Sequence, residues 1–180
     1  MFMGGSVTKK HTKREFFIDI CIILSMKAKF EKLLQTITET ISANTIWRYT
    51  LTDIVFDLKN GNTRYNWVGI YLLENNILQL ETFLGHPTEH TTIVLPKGVC
   101  GVSADSKKTI IVGDVASSEN YISCNLHVKS EIVVPLLRGD EVLGVIDIDS
   151  HSKAAFTQED QLLLEKVAAL ISAKAPIVQK

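Results

Sequence analysis

Thiol and carboxyl side chains are concentrated in one part of the sequence, residues 98–150. This segment contains, in order, Cys100, Cys124, Glu131, Asp147 and Asp149. A thiol can be oxidised to a sulfenic acid or a disulfide, and a carboxylic acid can protonate a departing group. Because both kinds of residue lie in one compact segment, the sequence indicates thiol redox chemistry with acid assistance.

The two cysteines of this segment have different surroundings. Cys100 lies in the motif GVCG, where Gly98 and Gly101 favour a turn into a short helix whose dipole stabilises a thiolate. The alternative is a cysteine buried in the core. Cys124 lies in a polar segment, where a cysteine gains little from packing. A disulfide between the two would stabilise the oxidised protein by about 3.5 kcal/mol on the chain-entropy model, provided that they come close enough.

Asp147 and Asp149 are two residues apart on a predicted strand, so their side chains leave the same face, after Leu143 and Val145. Burial raises the pKa of a carboxyl group, and two close carboxyls with Glu131 nearby can share a proton at neutral pH. This is the property needed in a general acid. The alternative is that the strand end emerges into water, where both aspartates are solvated or cap a turn.

Trp67 and Tyr71 are four residues apart on the first predicted strand and therefore share a face. They are interpreted either as ordinary core aromatics or as the walls of an apolar pocket for a methyl or thioether group.

The sequence predicts no metal site and no organic cofactor. The aspartate pair is a candidate ligand set, but the neighbouring histidines, His127 and His151, do not show a ligand spacing.

Hydrophobic periodicity predicts the elements that position these residues. Spacings of three and four predict helices, and alternation with turn residues between runs predicts strands. The predicted helices cover residues 27–44, 46–58, 98–107 and a stretch from a capping box at Thr157 to before Pro176; the predicted strands cover 66–74, 77–84, 91–95, 109–112, 131–137 and 141–149, with a long loop at 113–130. The order predicts an α+β fold, an antiparallel sheet of about six strands with the N- and C-terminal helices on one face.

Composition limits the function classes. The chain has 180 residues and a net charge of −1 with interleaved signs, which disfavours a nucleic-acid partner. The apolar run before Leu24 contains Asp19 and is too short to span a membrane. Three cysteines fit the reducing cytoplasm better than a secreted disulfide framework. We expect one domain at residues 26–176, with residues 1–25, including Cys21, as an accessory extension.

Several motifs in one order resemble the free methionine-(R)-sulfoxide reductases, which are GAF-domain enzymes. The motifs are NWVGIYLL, GVCG, DVASSENYISCN, SEIVVPL and GVIDIDS, followed by FTQED. The resemblance covers about residues 66–170 and implies a GAF-like fold. It also implies reduction of free methionine (R)-sulfoxide to methionine, with electrons supplied by thioredoxin and without metal or cofactor.

The resemblance assigns roles residue by residue. It makes Cys124 the nucleophile, which becomes a sulfenic acid, and Cys100 the resolving thiol. It makes Glu131, Asp147 and Asp149 the residues that bind the substrate amino group and supply the proton to the departing oxygen. It places Trp67 and Tyr71 around the substrate methyl group.

Two departures from the family pattern bear on these roles. Many members carry a further cysteine before the GVCG strand, where this chain reads GHPTEHTTIVLP, so the resemblance implies a Cys100–Cys124 disulfide. The family motif GHIACD reads NYISCN here, with Tyr121 in place of a histidine and Asn125 in place of an aspartate, which puts catalytic efficiency in question.

Two other interpretations come from different functional classes. A GAF domain can sense a small ligand without turnover, although that interpretation leaves Cys124 and the acids unexplained. The terminal helices could also form a homodimer interface in an interaction module, which is compatible with an enzyme.

Overall fold

The computed structural model describes residues 13–117 and 127–176, with side chains from residue 27 onward. The helices are α1 (Lys13–Ala43), α2 (Trp47–Gly61), α3 (Gly98–Ser106) and α4 (Gln158–Lys174), with a 3-10 turn at Val115–Ser117; the strands are β1 (Trp67–Glu74), β2 (Ile77–Leu84), β3 (Thr92–Val94), β4 (Ile110–Val112), β5 (Ser130–Arg138) and β6 (Glu141–Ser150). None of the described helices is both long and apolar enough to cross a membrane.

The six strands form one sheet in the order β3-β2-β1-β6-β5-β4, and every neighbouring pair is antiparallel. Asn75 and Asn76 both have positive φ, the backbone that a tight two-residue turn between β1 and β2 requires. The predicted α+β class and the antiparallel sheet of about six strands are confirmed.

One face of the sheet carries the main core. The apolar stripe of α1 packs there with α2 and α4, and its members Phe30, Leu33, Ile37 and Ile41 are buried. Burying one such side chain stabilises the fold by about 2 kcal/mol. These contacts place the N- and C-terminal helices on one face of the sheet, which confirms the prediction from the sequence.

The opposite face carries α3 and a second, smaller apolar cluster. This cluster contains Trp67, Tyr71, Leu78, Ile93, Val99, Cys100, Ala104, Val133 and Val145. The sheet thus separates a purely structural core from a face on which every described candidate site residue lies.

An ion pair between the half-buried Arg64 and the buried Asp160 fixes the residues before β1 against α4. The Asp160 carboxylate accepts hydrogen bonds from Arg64 at 2.9 and 3.1 Å, from the Tyr65 hydroxyl at 2.8 Å and from the Thr157 backbone N–H at 2.8 Å. The last contact belongs to the capping box that the sequence predicts. The carboxylate is fully buried but satisfied, so it holds α4 and the residues before Trp67 in register.

Two details differ from the sequence-based expectations. Helix α1 begins at Lys13 rather than at residue 27, because the intervening sequence contains no glycine or proline to interrupt it. Leu143 was predicted to share a face with Val145, and this is wrong: Leu143 packs against the main core. The cause is a bulge, since Leu136 pairs with Gly144 and Leu137 with Val142, which leaves Leu143 unpaired in the β5–β6 ladder.

Candidate active site

Three carboxyl groups meet on the α3 face of the sheet. Glu131 on β5 lies directly opposite Asp149 on β6, and Asp147 lies two residues away on the same face. All three are buried, with 4%, 4% and 3% of their surfaces exposed for Glu131, Asp149 and Asp147. The alternative in which the strand end emerges into water is therefore wrong.

Burial perturbs the titration of all three acids. It raises the pKa of Asp147 to about 6, against hydrogen bonds from Cys100 and Glu131 that lower it. It raises the pKa of Glu131 well above its usual range, with a further contribution from the negative charges of Asp147 and Asp149. The pKa of Asp149 is raised by burial and by Asp147. The cluster therefore retains protons at neutral pH and can both donate a proton and accept a cation.

Cys100 is the third residue of α3 and is 4% exposed. Its thiol donates a hydrogen bond to Asp147. The Cys100 sulfur and one oxygen each from Glu131 and Asp147 lie within 4.8 Å of one another. These three residues are the set of described residues that could hold a metal ion.

The glycine after Cys100 explains why the helix comes so close to the chain that leads into it. A Cβ at Gly101 would lie 2.8 Å from the backbone carbon of Pro96, too close for any side chain. The GVCG motif thus allows α3 to turn tightly and to bring Cys100 down onto Asp147.

Trp67 and Tyr71 form an aromatic wall beside the acids, and their ring centroids are 6.5 Å apart. The Trp67 indole N–H donates to the carbonyl of His86 at 3.0 Å, and the Tyr71 hydroxyl donates to the carbonyl of His90 at 2.8 Å. The two rings therefore fix the loop between β2 and β3 over the site.

Gly69 makes room for this wall, although the sequence gives no sign that this glycine belongs to the site. Gly69 lies opposite Asp147 in the β1–β6 ladder. The indole of Trp67 lies over it, so that a Cβ at this position would come within 2.2 Å of the ring. The orientation of the Trp67 ring therefore depends on the absence of a side chain at Gly69.

We expect Gly69→Ala to displace the Trp67 ring and to lower the free energy of unfolding by about 1–3 kcal/mol, the usual cost of overpacking. The measurement is urea denaturation together with indole fluorescence, made in a Trp47→Phe background so that Trp67 is the reporter. Gly113→Ala is the matched control, because a Cβ there would meet nothing within 4 Å. Equal effects of the two substitutions would contradict the close contact.

Two small cavities, each of about 20 Å³, adjoin the acids. One lies against the aromatic wall and is lined by Asn66, Trp67, Tyr71, His86, Pro87, Thr88, Val128, Asp147, Asp149 and His151. The other lies under α3 and is lined by His90, Ile93, Gly98, Val99, Cys100, Glu131 and Asp147. Asp147 is shared by both, so it stands between the aromatic wall and the Cys100 thiol.

Histidines gather at the rim of the first cavity. The ring centroid of His127 lies 6.5 Å from that of His86 and 5.8 Å from that of His151. Partial burial and the proximity of the other two imidazoles lower the pKa of His151. His127 and His151 could be noted from the sequence as neighbours of the aspartate pair, but His86 could not, because three separate segments bring these rings together and no spacing in the sequence indicates it.

Cys124, Tyr121 and Asn125 lie outside the described residues. The predicted loop that contains them is described at its two ends, where Val115–Ser117 forms a 3-10 turn and Ser130 begins β5. The roles that the sequence assigns to Cys124 remain predictions.

Comparisons with known proteins agree on one family. A GAF domain family model matches residues 30–174. GAF domain-containing protein A of Dictyostelium discoideum is 33% identical over 82% of this chain and 92% of its own length. A free methionine-R-sulfoxide reductase of Saccharomyces cerevisiae is 43% identical over 59% of this chain, and the match spans 61% of the yeast protein, less than two thirds of it.

A solved structure points the same way. The free methionine-R-sulfoxide reductase of Neisseria meningitidis, in complex with its substrate, is 32% identical and superposes with a TM-score of 0.77, covering 81% of this chain and 87% of that one.

Proposed function

The chain belongs to the GAF domain family, and we propose that it is an oxidoreductase that reduces free methionine (R)-sulfoxide to methionine. The resemblance to the yeast and Neisseria reductases supports this activity. The observation that carries it is the meeting of three buried carboxyl groups, a thiol and an aromatic wall in one enclosed part of the sheet face. Burying carboxyl groups costs free energy, and the fold alone does not require such a cluster.

The acids suit an amino acid substrate. Free methionine sulfoxide carries an ammonium group, which a cluster of carboxylates binds through charge-assisted hydrogen bonds. Glu131, Asp147 and Asp149 supply these acceptors, and a proton that the cluster retains at neutral pH is available for the sulfoxide oxygen. A site that fully encloses the ammonium group excludes a methionine whose nitrogen is part of a peptide bond.

The aromatic wall suits the other end of the substrate. Trp67 and Tyr71 line the first cavity together with Asp147 and Asp149. We assign them to the methyl and thioether part of the substrate, which favours an apolar and polarisable surrounding.

In the proposed reaction two thiols supply the electrons that reduce the sulfoxide. The Cys124 thiolate attacks the sulfoxide sulfur, and the acid cluster protonates the oxygen; the oxygen ends on Cys124 as a sulfenic acid, and methionine leaves as the reduced sulfide. Cys100 then attacks the Cys124 sulfur, a disulfide forms and water leaves. The two electrons that reduce the sulfoxide come from the two thiols.

An external dithiol completes the cycle. We assign this role to thioredoxin, which reduces the Cys100–Cys124 disulfide by thiol–disulfide exchange. Because the cycle needs a reducing supply, the cytoplasm is the compartment that suits it. The reaction needs no organic cofactor.

The test is oxidation of NADPH with thioredoxin and thioredoxin reductase, offering the free (R)-sulfoxide, the free (S)-sulfoxide and a peptide-bound sulfoxide in separate reactions. We expect turnover only with the free (R) form. Turnover with the peptide-bound form would contradict the role of the acids in enclosing the ammonium group.

A protein that is folded and reduced but turns over none of the three would refute the reductase assignment. The alternative is then a GAF module that senses a small ligand, and it predicts tight ligand binding that survives Cys124→Ser.

A further inference from the structure

We propose that the reduced protein binds one Zn²⁺ ion through the Cys100 sulfur, a Glu131 oxygen and an Asp147 oxygen, and that this ion occupies the place of the substrate ammonium. The binding of the metal is independent of the proposed reductase activity. Its regulatory consequence, reversible inhibition, rests on that activity.

The donor set fits a zinc ion. Zn²⁺ accepts thiolate sulfur at about 2.3 Å and carboxylate oxygen at about 2.0–2.2 Å in a tetrahedral arrangement, so its ligand atoms lie roughly 3.3–3.8 Å apart. The three atoms here lie within 4.8 Å of one another, so shifts of about 1 Å complete the geometry. His90 lines the same cavity, and either its imidazole or a water molecule supplies the fourth ligand.

A second observation is independent of this clustering. Oε2 of Glu131 and Oδ1 of Asp147 are buried and have no hydrogen-bond partner within the described part of the chain. The two side chains are 4% and 3% exposed and line the cavity under α3. Buried acceptors without a partner are costly, and a cation between them would satisfy both.

The charges also favour a divalent cation. A thiolate from Cys100 and carboxylates from Glu131 and Asp147 would bring three negative charges within 4.8 Å of one another in the buried cavity under α3. Zn²⁺ offsets two of the three charges. The carboxylates it uses are those that we assign to the substrate ammonium, and it holds the Cys100 sulfur that resolves the sulfenic acid.

The test uses the full, reduced chain in a Cys21→Ser, Cys124→Ser background, which leaves Cys100 as its remaining cysteine. Titration with Co²⁺ is expected to give a thiolate-to-cobalt charge-transfer band that saturates at one ion per chain and disappears when Zn²⁺ is added. Adding Cys100→Ser should remove the band. Adding Glu131→Gln should weaken Co²⁺ binding at least tenfold, by about the factor that loss of a supporting group costs at metal sites.

Glu74→Gln is the matched control, because Glu74 is an exposed acid at the end of β1, and it should leave Co²⁺ affinity unchanged. Absence of the band in the background protein overturns the proposal, as does a band that survives Cys100→Ser. Equal affinities of the Glu131→Gln and Glu74→Gln proteins also overturn it. If circular dichroism shows that Cys100→Ser is unfolded, the band in the background protein and the glutamate pair decide.

A second readout links the metal to the proposed function. In a single turnover of the wild-type protein without added reductant, Zn²⁺ should raise the half-saturating sulfoxide concentration and leave the maximal rate unchanged. A cobalt band in the background protein, with no turnover by the wild-type protein, would refute the function only. Turnover by the wild-type protein, with no cobalt band in the background protein, would refute the metal site only.

Discussion

Replacing Cys124 by serine is expected to abolish turnover, whereas replacing Cys100 by serine should spare one reduction per chain and block recycling by thioredoxin. A serine hydroxyl at position 124 cannot form the sulfenic acid that takes the oxygen, so we expect a loss of at least about 1,000-fold. With Cys100→Ser the sulfenic acid still forms, but no disulfide follows.

The position of Cys100 supports this division of roles. Its thiol is buried under α3 and donates a hydrogen bond to Asp147. The nucleophile must reach the sulfur of a substrate in the cavity at Trp67 and Tyr71, whereas Cys100 lines the other cavity. Cys100 therefore suits the second step, attack on an oxidised Cys124, better than the first.

The measurement is methionine formed per chain in a single turnover, together with trapping of the sulfenic acid by dimedone. The Cys100→Ser protein should form about one methionine per chain and carry the adduct on Cys124. Cys21→Ser is the control and should behave as the wild type. A Cys124→Ser protein with full activity would refute the assignment of the nucleophile.

The faces of the strands could be predicted from the sequence where the alternation is regular. Asp147 and Asp149 share a face with Val145 because side chains alternate along β6, and the structure places them there. Leu143 breaks the rule, because the bulge at Gly144 shifts the register and the pattern of hydrophobic residues does not reveal a bulge. A Cβ at Gly144 would lie 2.0 Å from the Tyr71 carbonyl oxygen, a close approach that becomes visible only when β1 is in place.

The contacts between elements could not be predicted in the same way. The hydrogen bond from Cys100 to Asp147 depends on how tightly α3 packs against Pro96, which involves no periodic pattern. The overlap of the Trp67 ring with Gly69 depends on a side-chain rotamer. Residue types in the sequence thus indicate the chemistry of the site, but the geometry comes from packing between distant segments.

Replacing Asp147 by asparagine is expected to make the protein more stable at neutral pH and less active. The folded protein holds the pKa of Asp147 at about 6, above the ordinary value of 3.8, because burial disfavours the charged form. Between these two pH values Asp147 binds more protons in the folded state than in the unfolded chain, so its contribution to the free energy of unfolding falls as the pH rises from about 4 to about 6 and is then constant. Asparagine does not titrate and avoids this loss, which amounts to about 3 kcal/mol at pH 7.

Urea denaturation at about pH 4 and about pH 7 measures the effect. The gain from Asp147→Asn should be present at pH 7 and largely absent at pH 4. Asp114→Asn is the control with the opposite sign, because the hydrogen bond from Lys153 lowers the pKa of Asp114 and its charge stabilises the folded state. An equal change at both pH values would show that the ionisation of Asp147 does not destabilise the fold.

The same substitution should lower kcat/KM about 10- to 100-fold, because a charge-assisted hydrogen bond to the substrate ammonium contributes about 1.5–3 kcal/mol. A protein that gains stability while it loses activity would show why this carboxylate is retained in a buried position. Its charge is unfavourable in the empty folded protein and becomes favourable when an ammonium group lies beside it. An asparagine variant with unchanged kcat/KM would contradict the proposed contact, whatever its stability.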